Sequence, residues 1–163
     1  MAAPARTQPL PIPEHNRADL KESPPRPAPE TAIAAAKLLF DAIVHDQPEA
    51  AAGAFFPRAA FLLVKDIKDP GRYYDQLYQR FIADVHALHK SLPELAGAQF
   101  DRFELSGRGG FMRVHEEGNR LPYWAARHNT LWYRSAGQLR HFEVRVLITW
   151  DDRWYVIHLN EFH

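Results

Sequence analysis

The sequence predicts an α+β fold in which helices come first and an antiparallel meander sheet follows. Before Pro93 the apolar residues recur at helical spacing, and after it they alternate with a period of two. Short segments rich in glycine, asparagine or aspartate divide the second half into strands. With 46% hydrophobic and 12% aromatic residues, the 163-residue chain can bury the core of one domain.

The first 29 residues are predicted to be a disordered, proline-rich tail or linker, and residues 30–163 the folded domain. Eight of the 13 prolines lie in this tail, which contains no Phe, Trp or Tyr. A segment without aromatic residues buries too little apolar surface to offset the entropy lost on ordering. Its run Pro24-Pro25-Arg26-Pro27 could dock in an aromatic groove, but an extended polyproline-II spacer is the favoured interpretation.

The first half of the domain is predicted to be mainly helical. Helices are predicted over residues 30–46, 48–55 and 73–92. In the first and third of these, apolar residues recur every three or four positions, and prolines mark the boundaries. Residues 59–67 contain the apolar run Phe61-Leu62-Leu63-Val64, which is short enough to be a buried strand.

The second half is predicted to be all strand, over residues 98–106, 111–117, 121–135, 138–150 and 153–160. The separators are short enough for tight hairpins, so each strand is expected to pair with the next. In the first hairpin this register sets Glu104 opposite Arg113 and Phe103 opposite Val114. The alternation defines an apolar helix face, covered by the helices, and an opposite outer face. A bulge in any strand would exchange the two faces beyond it.

The element order of residues 30–163 resembles the cystatin-like α+β superfamily, which includes nuclear transport factor 2-like and SnoaL-like domains. The ending Trp154-Tyr155-Val156-Ile157-His158-Leu159 is similar to the closing strand of many such domains. The resemblance implies a dimer formed across the sheet and a conical pocket between sheet and helices. Because the superfamily contains enzymes as well as binding domains, the fold alone does not determine function.

Polar residues on the helix face predict a ligand cleft. Arg127 and Asn129 lie in the middle of a strand on a mostly apolar surface, whose other polar residues are Arg140 and, near strand ends, Asp101 and Glu116. A guanidinium recognises anions. The candidate ligand-binding residues are Tyr123, Arg127, Asn129, Tyr133 and Tyr155. Asp41 and His45, one turn apart on the first helix, are weak candidates for a catalytic acid–base pair. The alternative is that Arg127 and Asn129 lie at an edge or on a bulge and contact water.

The outer face combines tryptophan, histidine and arginine, a composition that favours an interface, most simply a homodimer formed through the sheet. The candidate interface residues are Trp124, His128, Trp132, His141, Glu143, Arg145, Trp154 and His158. A polar solvated face and a ligand or catalytic site, with histidine beside glutamate, are the alternatives. Arg145 lies between His128 and His158 in this register, which argues against a bound cation, so we expect neither a metal nor a cofactor.

Several classes of protein are excluded by composition. Without cysteine, there can be no disulfide framework and no thiolate metal site. Twenty basic residues balance twenty acidic ones, which argues against a general nucleic-acid binder. No run of 18 apolar residues exists to span a membrane. The compartment is not determined: the chain as written would be cytoplasmic, or extracytoplasmic if an export signal has been removed.

Two functions follow as hypotheses. The first is a non-enzymatic binding or assembly domain with a small-molecule pocket between sheet and helices. The second is a cofactor-free isomerase, dehydratase or hydrolase, in which a carboxylate or histidine in the pocket removes a proton and Tyr or Arg stabilises the oxyanion. The first leads, because no acid–base pair lies unambiguously in the predicted pocket.

Overall fold

The helices and strands of the chain form an α+β domain, as predicted, in a computed structural model that describes residues 10–160. The helices are α1 (Glu30–His45), α2 (Arg58–Val64) and α3 (Pro70–Ser91), with 3₁₀ turns at Glu14–Asn16 and Pro48–Ala54. The strands are β1 (Gln99–Glu104), β2 (Gly109–Met112), β3 (Tyr123–Ser135), β4 (Gln138–Trp150) and β5 (Arg153–His158). They form one antiparallel sheet with β3 and β4 at its centre. No helix among these residues is long and apolar enough to cross a membrane.

The segment after the 3₁₀ turn is helical, so the strand predicted over 59–67 is wrong. Pro57 occupies the N-cap of α2, and Ala60, Phe61 and Val64 are buried. These three lie on one face at helical spacing, while Leu62 and Leu63 are only half-buried. An apolar run of this length is compatible with the helical period of 3.6 residues and with the strand period of two. The segment forms a helix because one of its sides packs against α3.

The predicted hairpin between the first two strands is also wrong. β1 pairs with the second half of β3, with Phe103 opposite Leu131, and β2 pairs with the first half, with Met112 opposite Tyr123. The two short strands therefore lie end to end along one edge of β3, which is long enough for both. Gly109 allows the close approach of β2: its φ is +110°, and a Cβ there would lie 2.3 Å from the Ala125 carbonyl oxygen.

A second difference arises in β5, where the register shifts. Thr149 pairs with Trp154 and Leu147 with Val156, but Val146 pairs with His158 rather than Ile157. This one-residue bulge turns His158 toward the helix side of the sheet. The prediction that His158 lies on the outer face is therefore wrong, and the row His128–Arg145–His158 does not form.

Residues 10–29, called the strap below, are packed against the sheet and differ in this from the expected disordered tail. Asn16 is buried, and its side-chain amide donates to the carbonyl oxygens of Pro122 (2.9 Å) and Thr149 (3.4 Å). Its side-chain oxygen accepts a hydrogen bond from the Asp151 backbone N–H at 3.0 Å. The strap is thus fixed at the start of β3 and the end of β4. The rest of the predicted tail, residues 1–9, lies outside the described residues.

The proline run of the strap docks on two tryptophans of the outer face. The indole N–H of Trp124 donates to the Pro24 carbonyl oxygen, and that of Trp154 to the Pro27 carbonyl oxygen, each at 3.2 Å. The Arg26 guanidinium lies 5.3 Å from the centroid of the Trp154 ring. Polyproline segments leave their carbonyl groups unpaired, so an aromatic surface with N–H donors can order them. The aromatic residues that the strap lacks are supplied by the sheet.

Candidate functional site

A cleft of about 200 Å³ opens between the sheet and the helices α2 and α3. Phe61 and Leu77 contribute apolar walls from the helices, and Val146 and Ile148 do so from β4. The polar side chains that line the cleft are Lys65, Glu117, Tyr123, Arg127 and His158. A partly enclosed apolar space with a few convergent polar groups is the usual form of a small-molecule site.

Four of these polar residues form one chain of hydrogen bonds. The Lys65 ammonium donates to the Tyr123 hydroxyl at 2.9 Å and to the Glu117 carbonyl oxygen at 3.3 Å. The Tyr123 hydroxyl donates to one carboxylate oxygen of Glu117 at 3.3 Å. The Arg127 guanidinium pairs with the other carboxylate oxygen at 2.8 Å. The single carboxylate is therefore shared between a phenol and a guanidinium.

Lys65 and Glu117 are brought together by two loops. Lys65 immediately follows α2, and its neighbour Asp66 donates its N–H to the Gly118 carbonyl oxygen at 2.8 Å. The loop that carries Glu117 folds around Asn119, which is buried. The side-chain oxygen of Asn119 accepts the Glu117 N–H at 2.8 Å, and its amide donates to the Leu121 carbonyl oxygen at 2.9 Å. These bonds hold the two loops together, and both Lys65 and Glu117 line the cleft.

Burial changes the acid–base properties of the cleft. It lowers the pKa of Lys65, and the Arg127 charge lowers it further, against the opposing effect of Glu117. Burial beside the Glu117 carboxylate raises the pKa of the Tyr123 hydroxyl, which therefore stays protonated. Burial also lowers the pKa of His158 to about 4, and nearby cations, Lys65 first among them, act in the same direction. His158 is neutral at pH 7.

The structure places only two of the five candidate ligand-binding residues in the cleft. Tyr123 and Arg127 line the cleft, whereas Asn129, Tyr133 and Tyr155 do not. Asn129 is buried in a structural role, since its side chain bonds the Ser106 N–H and the carbonyl oxygens of Ala126 and Val144. Tyr133 packs on Phe40 and Phe142, and Tyr155 on Phe56.

Asp41 and His45 lie on the exposed surface of α1, outside the cleft. His45 donates from Nδ1 to the backbone carbonyl oxygen of Asp41 at 2.9 Å, one helical turn earlier. The Asp41 carboxylate takes no part in this bond. Nothing in this arrangement makes the two side chains an acid–base pair.

The strap covers one part of the outer face of the sheet and leaves another part uncovered. The strap covers Trp124 and Trp154. Eight residues further along β3 than Trp124, Trp132 packs on His141 with ring centroids 4.5 Å apart, and the Arg102 guanidinium lies 4.7 Å from the Trp132 ring centroid. Next to this cluster His128 is hydrogen-bonded to Glu143, and Arg145 is half-buried. A homodimer through this remaining part of the face stays a prediction.

Two residues of the cleft, Lys65 and Glu117, were not identified from the sequence, and a third, His158, was placed on the wrong face of the sheet. Lys65 fell inside the strand predicted over residues 59–67, which does not exist, and Glu117 fell at the end of the strand predicted over residues 111–117 and was not singled out. The bulge that exposes His158 to the cleft leaves no mark in the residue pattern. A charged residue directly after the apolar run Phe61 to Val64 is the one signal that could have pointed to Lys65.

The His158 imidazole should make stability depend on pH. Its folded pKa of about 4 is below the ordinary 6.5, so the unfolded chain takes up the proton first as the pH falls. We therefore expect the free energy of unfolding to decrease as the pH falls from 6.5 to 4, by up to about 1.4 kcal/mol per pH unit. Urea unfolding of wild type and His158→Gln across this range measures the effect. Parallel curves for the two proteins would contradict it.

Among residues 10–160, no group of three or more histidine or acidic side chains is placed to hold a metal ion. No protein-family model matches the chain, and searches of curated proteins and of solved structures find no match either. The resemblance to nuclear transport factor 2-like domains therefore stays a prediction.

Proposed function

We propose that the protein is a non-enzymatic binding domain that takes up a small carboxylate in the cleft between the sheet and the helices. The observation that carries this proposal is the charge balance of the cleft. Lys65 and Arg127 bring two cations, Glu117 brings one anion, and His158 is neutral. The partly buried site therefore has an excess of one positive charge, which a monoanion would neutralise.

Arg127 is the group best suited to hold the carboxylate. Its bond to Glu117 uses one terminal nitrogen at 2.8 Å, and the guanidinium has five N–H donors in a planar fork. Its side chain is 42% exposed, which leaves donors available to a ligand. A bidentate arginine–carboxylate contact is both strong and directional.

The size of the cleft limits the ligand. Sites for drug-sized molecules measure roughly 300–1,000 Å³, and this cleft is smaller. Its apolar walls favour a short hydrocarbon portion attached to the carboxylate. A short-chain carboxylic acid combines both properties.

The second hypothesis, an acid–base enzyme, is favoured by one observation: His158 lines the cleft. A general base works best when its pKa is near the working pH, and the pKa of His158 is about 4. The Glu117 carboxylate is already bonded to Arg127 and Tyr123. Burial and neighbouring cations weaken His158 as a base, which is why binding is the better-supported function.

Carboxylate binding can be tested by titrating the protein with propionate and lactate while following backbone amide resonances. We expect shifts confined to residues around the cleft, and at least about tenfold weaker binding by Arg127→Met, which corresponds to about 1.4 kcal/mol. Arg134→Met is the matched control, because Arg134 lies on the same strand but is exposed. Equal affinity of wild type and Arg127→Met would contradict the proposal.

The same samples decide between binding and proton transfer. In deuterated water an enzyme that removes a proton next to a carboxyl or carbonyl group would exchange it for deuterium. Exchange by wild type that disappears in His158→Gln would favour the enzyme. Binding without exchange is the result we expect.

A further inference from the structure

We propose that Lys65 forms an imine with small oxo acids, that is, with aldehydes or ketones that also carry a carboxylate. This inference rests on the proposed function, because the cleft must first accept the carboxylate. It adds a covalent step and narrows the class of ligand.

The position of the Lys65 amine distinguishes it from the other described lysines. Lys65 lines the cleft and is half-buried, whereas the other lysines within residues 10–160, namely Lys21, Lys37, Lys68 and Lys90, are exposed. Its two hydrogen-bond acceptors are neutral oxygens, the Tyr123 hydroxyl and the Glu117 carbonyl. In the part of the chain that the structure describes, Lys65 forms no ion pair with a carboxylate within 4.0 Å. The amine is therefore positioned by hydrogen bonds to neutral oxygens and not by an ion pair.

The protonation state of Lys65 also favours imine formation. Burial lowers the pKa of Lys65, and this effect, together with the Arg127 charge, outweighs the opposing effect of Glu117. A desolvated lysine beside another cation has more of the free base, which is the nucleophile in imine formation. The exposed lysines lack this environment and compete poorly.

The reaction balances with water as the proton carrier. A Lys65 amine that has lost a proton to water is held in place by the Tyr123 hydroxyl, which lies 2.9 Å away. The free amine then attacks the carbonyl carbon, the carbon–nitrogen bond forms, and a nitrogen proton moves to the carbonyl oxygen. Water returns the first proton to the hydroxyl group formed in this way, and that group leaves as a water molecule. The product is a protonated imine, so atoms and charge balance without an oxidant or cofactor.

Arg127 would set the orientation of the ligand. Arg127 and Lys65 are joined through Glu117 and Tyr123, so both face the same small space. A carboxylate bound by Arg127 places a carbonyl carbon in the same molecule near the amine. Holding the two reacting groups together in this way raises the effective concentration of the carbonyl group.

The imine can be trapped in the full-length protein with pyruvate and sodium cyanoborohydride, which reduces it to a stable secondary amine. Peptide mapping by mass spectrometry then gives the adduct at each lysine. We expect Lys65 to be labelled at least about tenfold faster than Lys68, its exposed neighbour three residues away. Labelling of Lys65 no faster than that of Lys68 overturns the proposal.

Two variants and one competitor complete the test. The variant Lys65→Arg, with folding checked by circular dichroism, should no longer show the rapid labelling by pyruvate. The variant Lys68→Arg should still show it. Lactate has the carboxylate but no aldehyde or ketone group, so it can occupy the cleft without forming an imine. It should slow the labelling of Lys65 and leave the labelling of the other lysines unchanged. If lactate binds but Lys65 is not labelled preferentially, the imine is wrong and the binding function stands. If lactate neither binds nor protects and Lys65 is not labelled, both proposals fail.

Discussion

Replacing Trp154 with alanine should lower the free energy of unfolding by about 3–5 kcal/mol, the cost typical of removing a buried tryptophan. The side chain is 1% exposed and lies between the sheet and the strap. Its removal leaves a cavity, eliminates the hydrogen bond to the Pro27 carbonyl oxygen and ends the contact with the Arg26 guanidinium. Urea unfolding followed by far-ultraviolet circular dichroism measures the change.

Trp132→Ala is the matched control for this experiment. Trp132 is also on the outer face, but it is only half-buried and packs on His141 and Arg102. We expect it to lose clearly less stability than Trp154→Ala. Trp154→Phe, which keeps an aromatic ring but not the indole N–H, should fall between wild type and Trp154→Ala. Equal losses in Trp154→Ala and Trp132→Ala would show that the strap does not cover Trp154.

A chain of methionine followed by residues 28–163 should be less stable than wild type by about 2–5 kcal/mol. It loses three hydrogen bonds made by Asn16 and the bond from the Trp124 indole N–H to the Pro24 carbonyl oxygen, each with a net value of about 1 kcal/mol. Part of this loss is offset because the strap no longer has to be ordered. The shortened chain should also show red-shifted tryptophan emission and easier quenching by acrylamide, since Trp124 and Trp154 become exposed.

The control for truncation is a chain of methionine followed by residues 10–163, which retains the part of the strap described by the structure. It should match the full-length protein in stability and in tryptophan emission. If the chain that starts at residue 28 also matches, the strap contributes nothing to the fold. Because the strap lies on the outer face and the cleft on the helix face, propionate binding should survive truncation wherever the shortened protein remains folded.

The strap also limits how the sheet can be used for assembly. The predicted interface counted Trp124 and Trp154 as free to meet a second copy, yet both indole groups already donate to the strap. A dimer formed through the outer face would have to use the region around Trp132, His141 and Glu143. Light scattering of wild type and Trp132→Ala would detect such a dimer.

Local sequence patterns were sufficient to predict most of the helices and strands. Alternation and the two-residue separators predicted 138–150 and the start of β5 as the structure has them. Helical spacing and prolines predicted α1 and α3 to within a few residues. The even period of β3 also put Tyr123 and Arg127 on the helix face, where they line the cleft. These features depend on neighbours in sequence, which is why they could be predicted.

Long-range contacts decided the rest. β1 prefers the free edge of β3 to a hairpin with β2, and α2 is a helix because it packs on α3. A one-residue bulge moves His158 into the cleft, and two loops meet to set Lys65 beside Tyr123. The strap is ordered by tryptophans more than ninety residues away. The sequence alone determined the α+β class and the face of Arg127, but the cleft and the strap exist only because distant segments meet, and local periodicity contains no information about which ones do.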